Sequence, residues 1–148
     1  MSIGDALDDG IPVVLVIEDD PDLQMILEEA LREGGFDTAV AGSGEEAITL
    51  LRGFRSKYRA VVTDIVLLGR TDGWRVGRAA REIDPTFPVV YISGSAHAQW
   101  PVQGVPNSIL LIKPFAAAQL VTAISQLLNL VTIGSFNSTY PDKGPSQS

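Results

Sequence analysis

The chain has 148 residues, 45% of them hydrophobic and 20% charged, which suffices for one domain with a sizeable core but not for two. It has no cysteine and one histidine, His97, so disulfides, thiolate nucleophiles and clusters of soft metal ligands are excluded. The formal charge of −7 disfavours non-specific binding to nucleic acid, and no apolar run approaches the roughly 20 residues needed to span a bilayer.

Residues 1–10, MSIGDALDDG, are an acidic extension without the basic start and apolar centre of a signal peptide, so a cytoplasmic protein is expected. The domain is expected over residues 11–131. Its opening run IPVVLVI (11–17) suits a strand buried on both faces. Asp20 and Pro21 read as N-cap and first position of a helix that ends at Gly34-Gly35. Leu23, Ile26, Leu27, Ala30 and Leu31 follow the helical period and form its buried side. Residues 36–41 make a second strand. Ser43 and Glu46 form a capping box for a helix that buries Ala47, Ile48, Leu51 and Phe54.

Residues 59–63 form the third strand, which ends at Asp64. A helix over 72–83 follows, with Gly73, Val76, Gly77, Ala80 and Ile83 on one face and Arg75, Arg78 and Arg81 on a solvated one. Residues 87–93 are the fourth strand. The next segment is a short or irregular fourth helix, because Pro101, Gly104 and Pro106 interrupt it. A fifth strand (108–113) and a last helix burying Leu120, Ala123, Ile124, Leu127 and Leu128 complete the domain. Residues 132–148 lose the period, gain Ser, Pro and Gly, and are expected to be a flexible tail.

Five strands alternating with helices predict an α/β fold with a doubly wound parallel sheet. Ligands of such sheets gather beyond the carboxyl ends of the strands, at the switch in strand order. Polar residues stand there: Glu18, Asp19 and Asp20 after strand one, Asp64 after strand three, Ser93 after strand four and Lys113 after strand five. Converging carboxylates repel unless a cation joins them, and oxygen donors alone suit a hard ion such as Mg²⁺. One carboxylate could then act as nucleophile toward a phosphoryl group, and Asp64, alone on a central strand, is the best candidate. A lysine and a hydroxyl would stabilise charge on the phosphoryl oxygens.

At these positions the chain resembles the receiver domains of two-component response regulators. VLVIEDDPDL resembles the family's acidic first motif, VVTDIVLLG with the later DGW its acceptor segment, VVYISGS its switch strand and LLIKPF its Lys-Pro signature. The resemblance implies a flavodoxin-like (βα)5 fold and makes Asp64 the phosphoacceptor. It implies a site for Mg²⁺, or another divalent cation such as Mn²⁺, held by Asp19 directly, by Glu18, by Asp64 and by the backbone carbonyl of Val66. Ser93 would bond a phosphoryl oxygen, Lys113 would pair with the phosphoryl group or Asp64, and the Lys113-Pro114 peptide would be cis.

The implied partners are a histidine kinase or phosphotransfer protein and an output protein reached by docking, with no effector domain, no nucleic acid and no membrane. A homodimer is compatible with this. The chain departs from the family at Glu18, where Asp is commoner, and at Leu68, where proline is usual. Asp72-Gly73 falls one residue late, and Leu110 stands where many members carry an aromatic. The loop after Asp64 should therefore have its own shape. Two other functions fit parts of the pattern: a Mg²⁺-dependent phosphohydrolase working through an aspartyl-phosphate, and a degenerate receiver that binds partners without phosphorylation.

Overall fold

The computed structural model describes residues 10–95 and 99–137, so His97, the start of the acidic extension and residues 138–148 lie outside the described residues. The elements run β1 (Val13–Ile17), α1 (Pro21–Glu33), β2 (Asp37–Ala41), α2 (Gly44–Gly53), β3 (Tyr58–Asp64), α3 (Gly73–Ile83), β4 (Val89–Ser93), α4 (Trp100–Gln103), β5 (Ile109–Ile112) and α5 (Ala117–Asn137). All strand pairs are parallel and the order is β2-β1-β3-β4-β5, the expected flavodoxin-like sheet.

Alternation along the strands divides the core into two layers. Val14 and Val16 pack with Leu27, Ala30 and Leu31 of α1 and Leu120, Ala123, Ile124 and Leu127 of α5. Leu15 and Ile17 face the other way, onto Ala47, Ile48 and Leu51 of α2 and Val76, Ala79 and Ala80 of α3. Side chains as fully buried as Leu31 or Ile124 each contribute about 1.5–3 kcal/mol relative to exposure. That is why near-continuous apolar runs of four to seven residues form the sheet.

The expected caps at Asp20 and Ser43 form, with one shift, and Asp72 adds a third. Asp20 accepts from the Asp22 N–H, Ser43 from Glu46 and Asp72 from Arg75. The Glu46 carboxylate, however, accepts from the Gly42 N–H at 2.9 Å, so the capping box closes one residue early.

Four expectations need correction. Ile26 is 58% exposed, because α1 turns Leu27, Ala30 and Leu31 to the core and leaves Ile26 on its flank. Phe54 is 55% exposed, since it lies past the last turn of α2 with the Lys57 ammonium 5.7 Å from its ring centroid. Arg81 is not on a solvated face: its Nε donates to the Phe87 carbonyl at 2.6 Å, and its other nitrogens donate to the carbonyls of Pro106 and Asn107. Finally, α5 continues past Val131 to Asn137, in a stretch that no proline interrupts before Pro141.

The interrupted segment after β4 is indeed short, a single turn at Trp100–Gln103. Side chains from elsewhere hold the residues between this turn and β5. The buried Tyr91 hydroxyl accepts from the Val105 N–H at 3.1 Å, and Trp100 Nε1 donates to Ser108 Oγ at 2.9 Å. Arg81, Tyr91 and Trp100 thus hold residues 105–108, which form no helix, between α4 and β5.

Candidate functional site

Parallel pairing brings the carboxyl ends of the central strands level. Ile17 of β1 is in register with Thr63 of β3, Asp64 with Ile92 of β4, and Ser93 with Ile112 of β5. One residue beyond β1 and β5 come Glu18 and Lys113. Four of the expected site residues, Glu18, Asp64, Ser93 and Lys113, are thus carried to one edge of the sheet, at the switch in strand order.

Asp64 is only 7% exposed, and its Oδ2 lies 3.1 Å from Lys113 Nζ. The backbone presents this carboxylate firmly. The Ile65 N–H continues the ladder to the Ile92 carbonyl, and the Thr63 hydroxyl donates to the Asp64 carbonyl at 2.8 Å. Lys113 is held in turn by its N–H on the Ser93 carbonyl, and the Lys113-Pro114 peptide is cis as expected. Ser93 is buried, with its Oγ accepting from the Ser95 N–H at 3.1 Å.

Glu18 is almost completely buried beside Asp64. Its Oε2 accepts from the Asp20 N–H and its carbonyl from Gln24 Nε2, but Oε1 is buried without a hydrogen-bond partner. Burial first, and the neighbouring Asp64 carboxylate next, push the Glu18 carboxyl up to about 8. A proton or a cation relieves such an arrangement. Asp19 Oδ2 accepts from the Leu68 N–H at 2.8 Å, across 49 residues of sequence.

The donors therefore fit a hard cation in kind, being carboxylate oxygens with one buried oxygen unpartnered. Among the described residues, no three acidic or histidine side chains already surround a common point where a metal could sit. Glu18 and Asp64 lie side by side, and Asp19 has one carboxylate oxygen on the Leu68 amide of the loop that follows Asp64. Val66, expected to act through its carbonyl, has a 75% exposed side chain in that loop.

Sequence reasoning missed Gln24 and Glu45. Gln24 lies one turn into α1 and reaches back to the Glu18 carbonyl. Glu45, on the first turn of α2, accepts from the Arg70 and Thr71 amides. The available clue was the loop itself, which is long after Asp64, lacks a proline and so needs a support from elsewhere.

Known proteins agree with this geometry. The model of the response regulator receiver domain matches residues 14–125. The crystal structure of a response regulator receiver protein from Sinorhizobium medicae WSM419 superposes with a TM-score of 0.78 at 46% identity, covering 81% of this chain and 96% of that one. The response regulator receiver protein CpdR of Brucella abortus is 32% identical over 117 residues, 78% of this chain and 95% of its own. The transcriptional regulatory protein PrrA of Mycobacterium tuberculosis is 36% identical over 119 residues, 79% of this chain and 50% of its own. The chain thus spans about half the length of PrrA and is similar in the half that aligns. Receiver domains bind Mg²⁺ in their active site and interact with histidine kinases and phosphotransfer proteins. With the motif set, the strand order and the matched span in agreement, this chain belongs to the response regulator receiver domain family of two-component signalling.

Proposed function

We propose that the chain is a phosphorylation-controlled switch whose acceptor is Asp64. One observation carries the reading: a buried carboxylate at the end of a central strand, paired with Lys113 at 3.1 Å and flanked by Glu18 and Ser93 from the neighbouring strands. The donor is a phosphohistidine of a histidine kinase or phosphotransfer protein. An Asp64 carboxylate oxygen attacks phosphorus, the P–O bond forms as the P–N bond breaks, and the donor imidazole keeps the electron pair and takes a proton from solvent.

Lys113 offsets negative charge on the phosphoryl oxygens as it develops, and the Ser93 hydroxyl donates to one of them. Glu18, Asp19, Asp64 and the Val66 carbonyl would hold Mg²⁺, which supplies charge neutralisation for the transferring group. Burial around Asp64 limits the access of water to the acyl phosphate. The new charge then competes with Asp64 for Lys113 and attracts Ser93, biasing an existing equilibrium. Output is by docking to another protein, in a signalling rather than an enzymatic role.

Beryllofluoride, which mimics a phosphoryl group on a carboxylate, tests this reading. With Mg²⁺ it is expected to shift the amide resonances of Asp64, Ser93 and Lys113, and to leave those of Asp64→Asn unchanged. Identical wild-type spectra with and without beryllofluoride would contradict the reading.

A further inference from the structure

The backbone leaves the sheet at Ile65 and returns at Gly73, whose N–H donates to the Ile65 carbonyl at 2.9 Å. Residues 66–72 therefore form a loop with a closed neck. Apolar burial does little to fix its path: Leu67 is buried, but Val66 and Leu68 are each 75% exposed. Carboxylates from other elements hold it instead. Asp19 Oδ2 takes the Leu68 N–H, and Glu45 Oε2 takes the N–H groups of Arg70 and Thr71 at 2.9 and 3.2 Å.

The contact between α2 and the loop is close enough to require glycine at Gly44, and the backbone conformation favours it at Gly69. A Cβ on Gly44 would lie 2.6 Å from the Thr71 carbonyl oxygen. A Cβ on Gly69 would lie 3.0 and 3.2 Å from the Glu45 carboxylate oxygens, at a φ of +94° that already favours glycine. Hydrogen bonds from its own backbone amide and from Arg70 keep Glu45 below the usual carboxylate range, so the group is an anion at neutral pH.

We propose that Glu45 is a positioning residue for phosphoryl uptake: by fixing the 69–71 turn it keeps the Leu68 amide on Asp19 and sets the path of the backbone after Asp64. Glu45 touches none of the reacting atoms. It acts through the loop, and the role rests on the reading of Asp64 as acceptor. Groups hydrogen-bonded to a metal ligand typically matter about tenfold or more, and the Leu68 amide on Asp19, which Glu45 keeps in place through the turn, is such a group.

The test compares Glu45→Ala and Glu45→Gln with Glu46→Ala, a control on the same helical turn that contacts Gly42 instead. Three quantities are read: Mg²⁺ affinity, the rate of phosphoryl uptake from acetyl phosphate, and amide hydrogen exchange at Leu68 without Mg²⁺. Glu45→Ala is expected to weaken Mg²⁺ binding and slow uptake by about tenfold each, and to speed exchange at Leu68, while its urea midpoint stays with that of Glu46→Ala. Glu45→Gln, which retains an acceptor oxygen, is expected to recover most of the loss. The role is overturned if Glu45→Ala matches wild type in all three, or if affinity falls only together with global stability and Glu45→Gln restores nothing. Wild-type protein that neither binds Mg²⁺ nor takes up phosphate overturns the acceptor reading as well, which separates the two failures.

Discussion

Gly73→Ala is expected to destabilise the domain by about 3 kcal/mol, the upper range for an added carbon in a packed site. A Cβ there would stand 2.2 Å from the Asp64 carbonyl oxygen and 2.7 Å from the Ile65 Cα, both backbone atoms. Neither can yield without moving the acceptor strand or breaking the Gly73 N–H bond to Ile65. Alanine is the better helix former by about 1 kcal/mol, but that gain at the first position of α3 does not offset the clash. Gly53 supplies the contrast. It is the last residue of α2 and has nothing within 4 Å of an added Cβ, so Gly53→Ala is expected to leave the urea midpoint unchanged or raise it. Equal midpoints for Gly73→Ala and wild type would mean that α3 does not start against the acceptor's backbone.

Lys113→Ala is expected to slow phosphoryl uptake at Asp64 by about 100-fold, the cost of losing one preorganised charge or donor at a transferring group. Its effect on stability should be smaller. The Lys113 side chain is 35% exposed, so water screens the pair from that side. The Asp64 side chain, however, is only 9% exposed and loses its cation beside Glu18, so the loss is expected to cost about 1–2 kcal/mol. A large kinetic loss with a modest shift in midpoint is thus the expected signature. Uptake at the wild-type rate would show that the 3.1 Å pair with Asp64 has no part in the transfer.

The same division between chemistry and packing explains which features were legible in the sequence. Strands buried on both faces must be apolar almost throughout, so Val14–Ile17 and Val89–Ile92 stand out without knowledge of their neighbours. Polar residues break these runs at the carboxyl ends of the strands, which is why Glu18, Asp64, Ser93 and Lys113 could be picked out from the strand ends. Helix faces were less secure. Periodicity locates a stripe but not the edge of the neighbour that covers it, hence Ile26 and Phe54.

Polar contacts between distant segments left no trace of their own. Arg81 has the spacing of a solvated arginine, yet it binds carbonyls 25 and 26 residues away. Asp19 and Glu45 reach Leu68, Arg70 and Thr71 across gaps of 49, 25 and 26 residues. The absence of proline at Leu68 is what allows the first of these, since proline would have no N–H to donate. A departure from the family's common motif is thereby a contact in the structure.

Intact-mass measurement after incubation with acetyl phosphate and Mg²⁺ tests the central claim most directly. Wild-type protein is expected to gain the mass of one phosphoryl group, and Asp64→Asn to gain none. Equal gains by both proteins would place the acceptor elsewhere, and no gain by either would contradict the phosphoacceptor account altogether.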